Sequence, residues 1–180
     1  MNARFCTKIA IVAATAAAAL GCSHRGADQD PAPTATSVSV DAAKFQLAEE
    51  PEGAIGVIQA RSDAEDGDPV VLVGRIGGST DPWIKGRSAF VMVDSSMVVI
   101  EDGTEEAEGE ICLEECCAAL RKDCTTLVKF VDDEGRVLSG DARELVDADV
   151  DDLVVVKGHV ERDAEEGAFV IIADGVHVKR

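Results

Sequence analysis

The chain has 180 residues, six of them cysteines, and its 35 acidic side chains outnumber 17 basic ones, for a formal net charge of −18. An acidic surface of this kind repels phosphate backbones, so nucleic acid is not an expected ligand. The length suits one modest domain behind an export signal, and no apolar run is long enough to cross a membrane comfortably.

The N-terminus has the organisation of a secretory signal. Two basic side chains precede an apolar run from Ile9 to Leu20, which is too short for a transmembrane helix. The run closes with ALGC, which resembles the lipobox of bacterial lipoproteins. This resemblance implies lipidation of Cys22 and, through Ser23, sorting to the outer membrane. The alternative is an ordinary signal peptide. We predict a signal peptide over residues 1–22 and an exported cell-envelope lipoprotein of the outer membrane or periplasm, in contact with the membrane through its lipid anchor only.

The signal is followed by a polar stretch rich in Pro, Ala, Ser and Thr that has no periodicity. Such a composition predicts a disordered tether over residues 23–48, and a folded domain over residues 49–180. Pro51 suits the first turn of a helix, and the acidic residues around it suit the positive end of the helix dipole. We therefore predict a short helix over residues 51–63.

From Pro69 onward the sequence changes to short β-branched segments separated by turns. Five segments are predicted as strands: PVVLVGRIGG, SAFVMVD, TTLVKFVD, DLVVVKGHVER and AFVIIADGVHVKR. DARELV, with Asp141 as its N-cap, predicts one or two helical turns between the third and fourth strands. Gly175 interrupts the fifth strand and permits a β-bulge there.

The order β-β-β-α-β-β is that of the OB-fold, a five-stranded Greek-key barrel. We therefore predict a mainly β fold class: an OB-fold-like barrel with a short N-terminal helix and a short helix between strands 3 and 4. An acidic, Cys-rich insertion over residues 95–124 separates strands 2 and 3. A two-sheet sandwich is the alternative, although five strands are few for it. Phe90, Phe130 and Phe169 are expected to fill the core rather than to form a stacking platform for nucleic acid.

Two resemblances bear on this fold. DLVVVKGHVERDAEEGAFVIIADGVHVKR resembles the last two strands of OB-folds such as the anticodon-binding domains of class II aminoacyl-tRNA synthetases. VGRIGG, PWIKGRSAF and the cysteine cluster together resemble exported bacterial OB-fold-like proteins and lipoproteins. Both resemblances imply the fold alone, because tRNA binding conflicts with the acidic charge and the export signal.

Four cysteines, Cys112, Cys116, Cys117 and Cys124, lie within ICLEECCAALRKDC. In one straight helix Cys117 and Cys124 would be two turns apart, about 10.5 Å, which exceeds the roughly 7 Å span of a disulfide. The segment must therefore turn, or the cysteines must pair differently. Export favours two disulfides, either 112–116 with 117–124 or 112–117 with 116–124.

A metal site is the alternative use of this cluster. Thiolates bind zinc or copper, and His159 or His177 could replace one of them. The spacing C-x3-C-C-x6-C does not match the usual zinc knuckles, and His177 alternates with valines as an outward-facing strand residue would. No cofactor is therefore predicted unless the cysteines bind one of these metals.

The loop GGSTDPWIKGR is the candidate ligand loop, since OB-folds commonly bind through this connection. Trp83, Lys85 and Arg87 could stack on a ring or receive an anionic group. Alternatively, Trp83 packs beneath the loop as a lid on the barrel, which we favour.

The sequence contains no catalytic motif, and we do not expect an enzyme. We predict a binding or structural module whose loops 76–88 and 162–167 meet a small ligand or an envelope protein at one mouth of the barrel. A metal-binding envelope protein is the alternative. A nucleic-acid-binding OB-fold is a third possibility, which the charge disfavours.

Overall fold

The computed structural model describes residues 42–100, 110–113, 118–163 and 167–180. Within these ranges the strands are β1 (Ile55–Gly56), β2 (Pro69–Ile76), β3 (Ala89–Asp94), β4 (Val98–Ile100), β5 (Glu110–Cys112), β6 (Thr125–Lys129), β7 (Leu153–Asp163) and β8 (Ala168–Val178). The α-helices are α1 (Val57–Asp63), α2 (Ala118–Cys124) and α3 (Ala142–Val146), and a 3-10 helix covers Ala42–Lys44. None of the helices in the described ranges combines the length and the apolar character needed to cross a membrane.

Five strands close into a barrel. β2 pairs antiparallel with β3, β3 with β6, and β7 with β8, while β6 and β8 run parallel. The barrel closes because β2 also pairs with β7, from Pro69 opposite His159 to Arg75 opposite Leu153. The circular order β2-β3-β6-β8-β7 is that of an OB-fold-like barrel and confirms the predicted fold class.

The barrel interior is filled by side chains at alternating strand positions, as the pleat requires. Phe90 and Phe130 are fully buried with ring centroids 6.2 Å apart, and Phe169 is buried as well. The core prediction for these three phenylalanines is confirmed. The largest fully buried aliphatic residues around them are Leu72, Ile76, Met92, Ile171, Val57 and Val128.

The folded domain begins earlier than the predicted boundary at residue 49. Phe45 is buried and its ring meets Phe130 edge-on, with centroids 5.0 Å apart. The backbone of Val176 exchanges hydrogen bonds with this segment, donating to Phe45 O at 2.7 Å and accepting from Leu47 N at 2.9 Å. Residues 42–48 therefore do not belong to a tether, because an aromatic side chain completes the core there. The rest of the predicted tether lies outside the described residues.

The predicted bulge in the last strand is confirmed near Gly175. Lys157 pairs with Gly175 but the next residue of β7, Gly158, pairs with Ala173, so Asp174 is the extra residue. At this kink the two backbones approach closely. A Cβ atom on Gly158 would overlap the carbonyl oxygen of Ile172 and lie 3.1 Å from the Cα of Ala173.

Helix α1 starts at Val57 and not at Pro51, so the first six residues of the predicted helix over residues 51–63 are not helical. Residues 55–56 instead pair in parallel with β2. The N-terminus of the helix is determined by a distant carboxylate, since Asp94 Oδ2 accepts a hydrogen bond of 2.9 Å from Ile58 N. Gly56 makes this approach possible, because a Cβ there would lie 2.5 Å from the same oxygen.

Helix α3 follows its prediction. Asp141 has an extended backbone and its side chain accepts a hydrogen bond from Arg143 N, which is the geometry of an N-cap. Ala142, Leu145 and Val146 face the core. The helix therefore closes one end of the barrel between the third and fourth barrel strands, where the predicted topology requires it.

The insertion over residues 95–124 is not one helix. β4 and β5 form a two-stranded parallel sheet, and α2 follows after the undescribed residues 114–117. Cys112 ends β5, Cys124 ends α2, and Cys116 and Cys117 lie outside the described residues. On the side of β3 that faces away from the barrel interior, Val93 and Cys124 are buried together with Met97 packed against them. The insertion therefore rests on the barrel wall.

Candidate functional site

The loop between β2 and β3 folds into an irregular hairpin that backbone hydrogen bonds hold in place. Pro82 O accepts from Val91 N at 2.7 Å, and Ile84 N donates to Ala89 O at 3.0 Å. Its tip is fixed from the other side, because Arg87 forms a β-bridge with Ser139. The backbone of residues 85–87 is thus held by neighbours on both sides.

Trp83 anchors this loop from beneath. It is 9% exposed and lies 5.6 Å from Phe90 between ring centroids. The guanidinium of Arg143, on α3, lies 5.8 Å from the Trp83 ring centroid. Trp83 is therefore the lid on the barrel that we favoured, and its ring is covered by the protein itself. It does not present a stacking surface to a ligand.

Lys85 and Arg87 are the two cations at the tip of this loop. Both are exposed, and in the part of the chain that the structure describes neither forms an ion pair. Other cations do have carboxylate partners, among them Lys129, Arg136, Arg143, Lys179 and Arg180. The loop tip, residues 85–87, therefore presents two uncompensated positive charges on a protein of strongly negative net charge.

The hairpin at residues 162–167 does not share a mouth with this tip. Ala89, which follows the tip, pairs with Lys129 at the end of β6. Parallel pairing places Leu127 opposite Val170, so β8 begins near the start of β6, and the hairpin closes there with Asp163 opposite Ala168. The prediction that loops 76–88 and 162–167 meet at one mouth is wrong, because the tip and the hairpin lie at opposite ends of β6.

The insertion also covers part of the barrel face that OB-folds commonly use. In those folds the second and third strands carry the ligand face, and here these strands are β3 and β6. Val93, on the outer side of β3, has no exposed surface because Cys124 and Met97 pack over it. Residues of the insertion therefore cover this face of the barrel at the end of β3 where Asp94 lies.

The cysteines and histidines are only partly described. Cys124 is buried, and burial, together with the nearby carboxylates of Asp94 and Asp123, raises the pKa of its thiol.

His159 is exposed, while His177 is half-buried with its Nδ1 3.0 Å from Leu47 O. That carbonyl only accepts, so Nδ1 carries the proton. His177 pairs with Val155, and Val155 lies four positions from His159 along β7. The two imidazole rings therefore do not lie side by side on the sheet.

No group of three potential metal ligands occurs among the residues outside the gaps at 1–41, 101–109, 114–117 and 164–166. Both the disulfide pairing and the metal site were predicted for a segment that includes Cys116 and Cys117. Since these two residues are not described, both readings of the cysteine cluster stay predictions.

Sequence reasoning missed a pair of arginines at the hairpin end of the barrel. The guanidinium carbons of Arg61 and Arg162 lie 4.9 and 4.8 Å from the centroid of Phe169. Arg61 donates to Thr125 O at 2.7 Å, and Arg162 Nε donates to Ala64 O at 2.9 Å. Burial lowers the pKa of Arg61. These contacts attach α1 to the hairpin. Because the two arginines are about a hundred positions apart, no local sequence pattern indicates that they meet.

Asp94 was also missed, although its side chain organises the junction of β3, α1 and the insertion. Its Oδ1 accepts from the backbone N of Ser96 at 2.9 Å and from the Ser96 hydroxyl at 2.6 Å, while Oδ2 accepts from Ile58 N. Burial alone would raise the pKa of this carboxyl. The hydrogen bonds outweigh that effect and hold the pKa below its ordinary value.

No protein-family model matches the sequence, and no curated protein matches it. Among solved structures, the barrel is similar to part of a putative aspartyl-tRNA synthetase from Leishmania major Friedlin, with a TM-score of 0.35 and 11% sequence identity. The match covers 74% of this chain and 22% of the synthetase, so this chain spans under a quarter of that protein. A likeness at this level carries no argument about the fold or the function of this chain.

Proposed function

We propose that this protein is a lipid-anchored binding module of the cell envelope, built on an OB-fold-like barrel and acting by binding rather than by catalysis. The observation that carries the proposal is the loop tip, where Lys85 and Arg87 are exposed and have no carboxylate partner among the described residues. A fixed backbone reduces the entropy that a ligand must overcome on binding. The tip therefore receives an anionic group of a small ligand or of an envelope protein.

Charge contrast gives this tip selectivity. The surrounding protein is acidic, so an extended polyanion is repelled over most of the surface while a compact anion can approach the tip alone. Nucleic acid is accordingly not the proposed ligand. The buried Trp83 supports the loop without taking part in contact, which leaves the two cations as the contacting groups.

The first prediction concerns this tip. We expect the full chain in detergent solution to bind radiolabelled pyrophosphate in equilibrium dialysis at low salt. The double substitution K85A/R87A should weaken binding about fivefold to thirtyfold, because each exposed cation contributes up to roughly 1 kcal/mol to such a contact. The control is Lys157→Ala, which removes one exposed positive charge from β7, half the change in K85A/R87A, and should leave pyrophosphate binding unchanged.

Two outcomes would contradict this assignment. Equal weakening by Lys157→Ala would mean that pyrophosphate responds to net charge and not to the tip. Tighter binding of a single-stranded oligonucleotide than of pyrophosphate, lost in K85A/R87A, would instead favour the nucleic-acid-binding alternative.

The second prediction concerns the anchor and the cysteines. Intact-mass measurement on protein purified from its own envelope should find a chain that begins at Cys22 and carries a lipid. Under denaturing conditions without reductant we expect no alkylatable thiol at Cys112, Cys116, Cys117 or Cys124, and four after reduction, because an oxidising compartment favours disulfides. Four alkylatable thiols before reduction, with zinc or copper in native mass spectra, would support the metal-binding alternative instead.

A further inference from the structure

We propose a second binding site, independent of the loop tip, in a surface groove between the β3–β4 turn and the α3–β7 turn. Its ligand is a short segment of a partner protein that presents an apolar side chain next to a carboxylate. The groove has a volume of about 350 Å³ and is lined by Arg75, Met97, Val98 and Asp151. This inference does not rest on the proposed function.

The apolar part of the groove is the first reason. Three large hydrophobic side chains of the described residues are exposed, and one of them, Val98, lines this groove. Val98 is 60% exposed and lines the groove, and Val150, at 49%, precedes the lining residue Asp151. Met97 lies between Val98 and the buried pair Val93 and Cys124. Apolar surface gathered at a concave site is typical of a site that a ligand covers.

The charge at the edge of the groove is the second reason. Arg75 is exposed, and its Nη1 donates to the backbone oxygen of Asp151 at 3.2 Å. No carboxylate pairs with this guanidinium in the portion of the chain that the structure describes. Four other donor hydrogens of the guanidinium stay available for a ligand, and a carboxylate matches their geometry best.

The walls of the groove are held in place by backbone hydrogen bonds. Ile76 N donates to Asp152 O at 3.0 Å, and Asp151 N donates to Ile76 O at 2.8 Å. On the opposite wall, Met97 N donates to Asp94 O at 3.0 Å. The groove is therefore formed before any ligand arrives.

These features identify the occupant by its chemistry. An apolar side chain fills the space beside Met97 and Val98, and a carboxylate pairs with Arg75. A second copy of this chain is a poorer candidate, because two strongly acidic molecules repel each other. A short segment brings one carboxylate to the cation and little additional negative charge.

The test uses two matched peptides, acetyl-Val-Val-Glu-amide and acetyl-Val-Val-Gln-amide, titrated into the isotope-labelled full chain in detergent and followed by NMR. The Glu peptide should shift the backbone amides of Arg75, Met97, Val98 and Asp151 in a saturable manner. It should bind about twofold to fivefold more tightly than the Gln peptide, as a surface ion pair contributes.

Substitutions separate the two parts of the site. Arg75→Gln should remove the preference for the Glu peptide while both peptides still bind, and Val98→Asp should weaken both. Lys157→Ala should change neither affinity, although it alters the net charge by the same amount as Arg75→Gln.

Amide shifts scattered away from the groove, or an unchanged preference in Arg75→Gln, would overturn the proposal. Concentration-dependent self-association that Val98→Asp abolishes would also overturn it, since the occupant would then be a second copy. Loss of pyrophosphate binding in K85A/R87A with these peptide results intact would leave the groove standing by itself.

Discussion

Replacing Gly158 with alanine should lower the free energy of unfolding by about 3 kcal/mol or more, which places it among the severe single substitutions. The added methyl would overlap the carbonyl oxygen of Ile172 and lie 3.0 Å from its carbonyl carbon. These atoms belong to the backbone of β8 at its bulge, so they cannot rotate away as a flexible side chain would. Relief of the overlap requires β7 and β8 to separate at the bulge.

Chemical denaturation of the variant and the parent, followed by far-UV circular dichroism, measures this loss. The matched control is Gly77→Ala, because a Cβ at Gly77 would make only ordinary contacts, at 3.7 Å from Val93 Cγ1 and 3.8 Å from Asp151 Oδ1. The control should change stability by less than about 1 kcal/mol. A loss for Gly158→Ala no larger than that of the control would contradict the close approach of the two strands.

Asp94→Ala should lower the free energy of unfolding by about 2 to 4 kcal/mol, because it leaves two part-buried backbone N–H groups and the Ser96 hydroxyl without their shared acceptor. The carboxylate is 4% exposed and accepts from Ile58 N, Ser96 N and the Ser96 hydroxyl. The substitution therefore frees the N-terminus of α1 and the turn that begins the insertion together.

Asp141→Ala is the matched control for Asp94→Ala. It removes an N-cap of the same chemistry from α3, but one whose side chain is 36% exposed, and should cost about 1 kcal/mol. Thermal and denaturant unfolding of both variants measure the difference. If Asp94→Ala costs no more than Asp141→Ala, the long-range cap does not contribute as the geometry indicates.

The Asp94 carboxylate should also produce a pH dependence of stability. Its pKa in the folded state is below the ordinary value of 3.8, so the folded protein binds this proton less readily than the unfolded chain. The stabilisation is therefore complete above about pH 5, and it is lost as the pH falls through the folded-state pKa. Asp94→Ala should lose stability less steeply than the parent over this acidic range. Parallel pH profiles for the two proteins would exclude this linkage.

Much of the barrel could be predicted because its signals are local. Alternating apolar residues specified the strands, the turn residues placed their ends, and Asp141 marked the start of α3. Gly175 indicated a bulge because an unpaired residue in a strand is tolerated beside a glycine. These features depend on neighbours within a few positions, so one sequence is enough to find them.

The candidate site was predicted only in part for the same reason. The composition of the 76–88 loop indicated both the two cations and the covered Trp83, because a tryptophan in a small domain is most economically buried. The relation of this loop to the 162–167 hairpin was wrong. It depends on the parallel register of β6 and β8, which pairs segments about forty positions apart.

The sequence by itself determined the strand order, the aromatic core and the cap of α3, since periodicity and turn chemistry are properties of short segments. Only the tertiary structure decided where α1 begins, that Phe45 belongs to the core, and that Arg61 and Arg162 meet on Phe169. Each of these features is a contact between residues remote along the chain. Such contacts become favourable only after the barrel has closed and the entropy of bringing the segments together has been overcome.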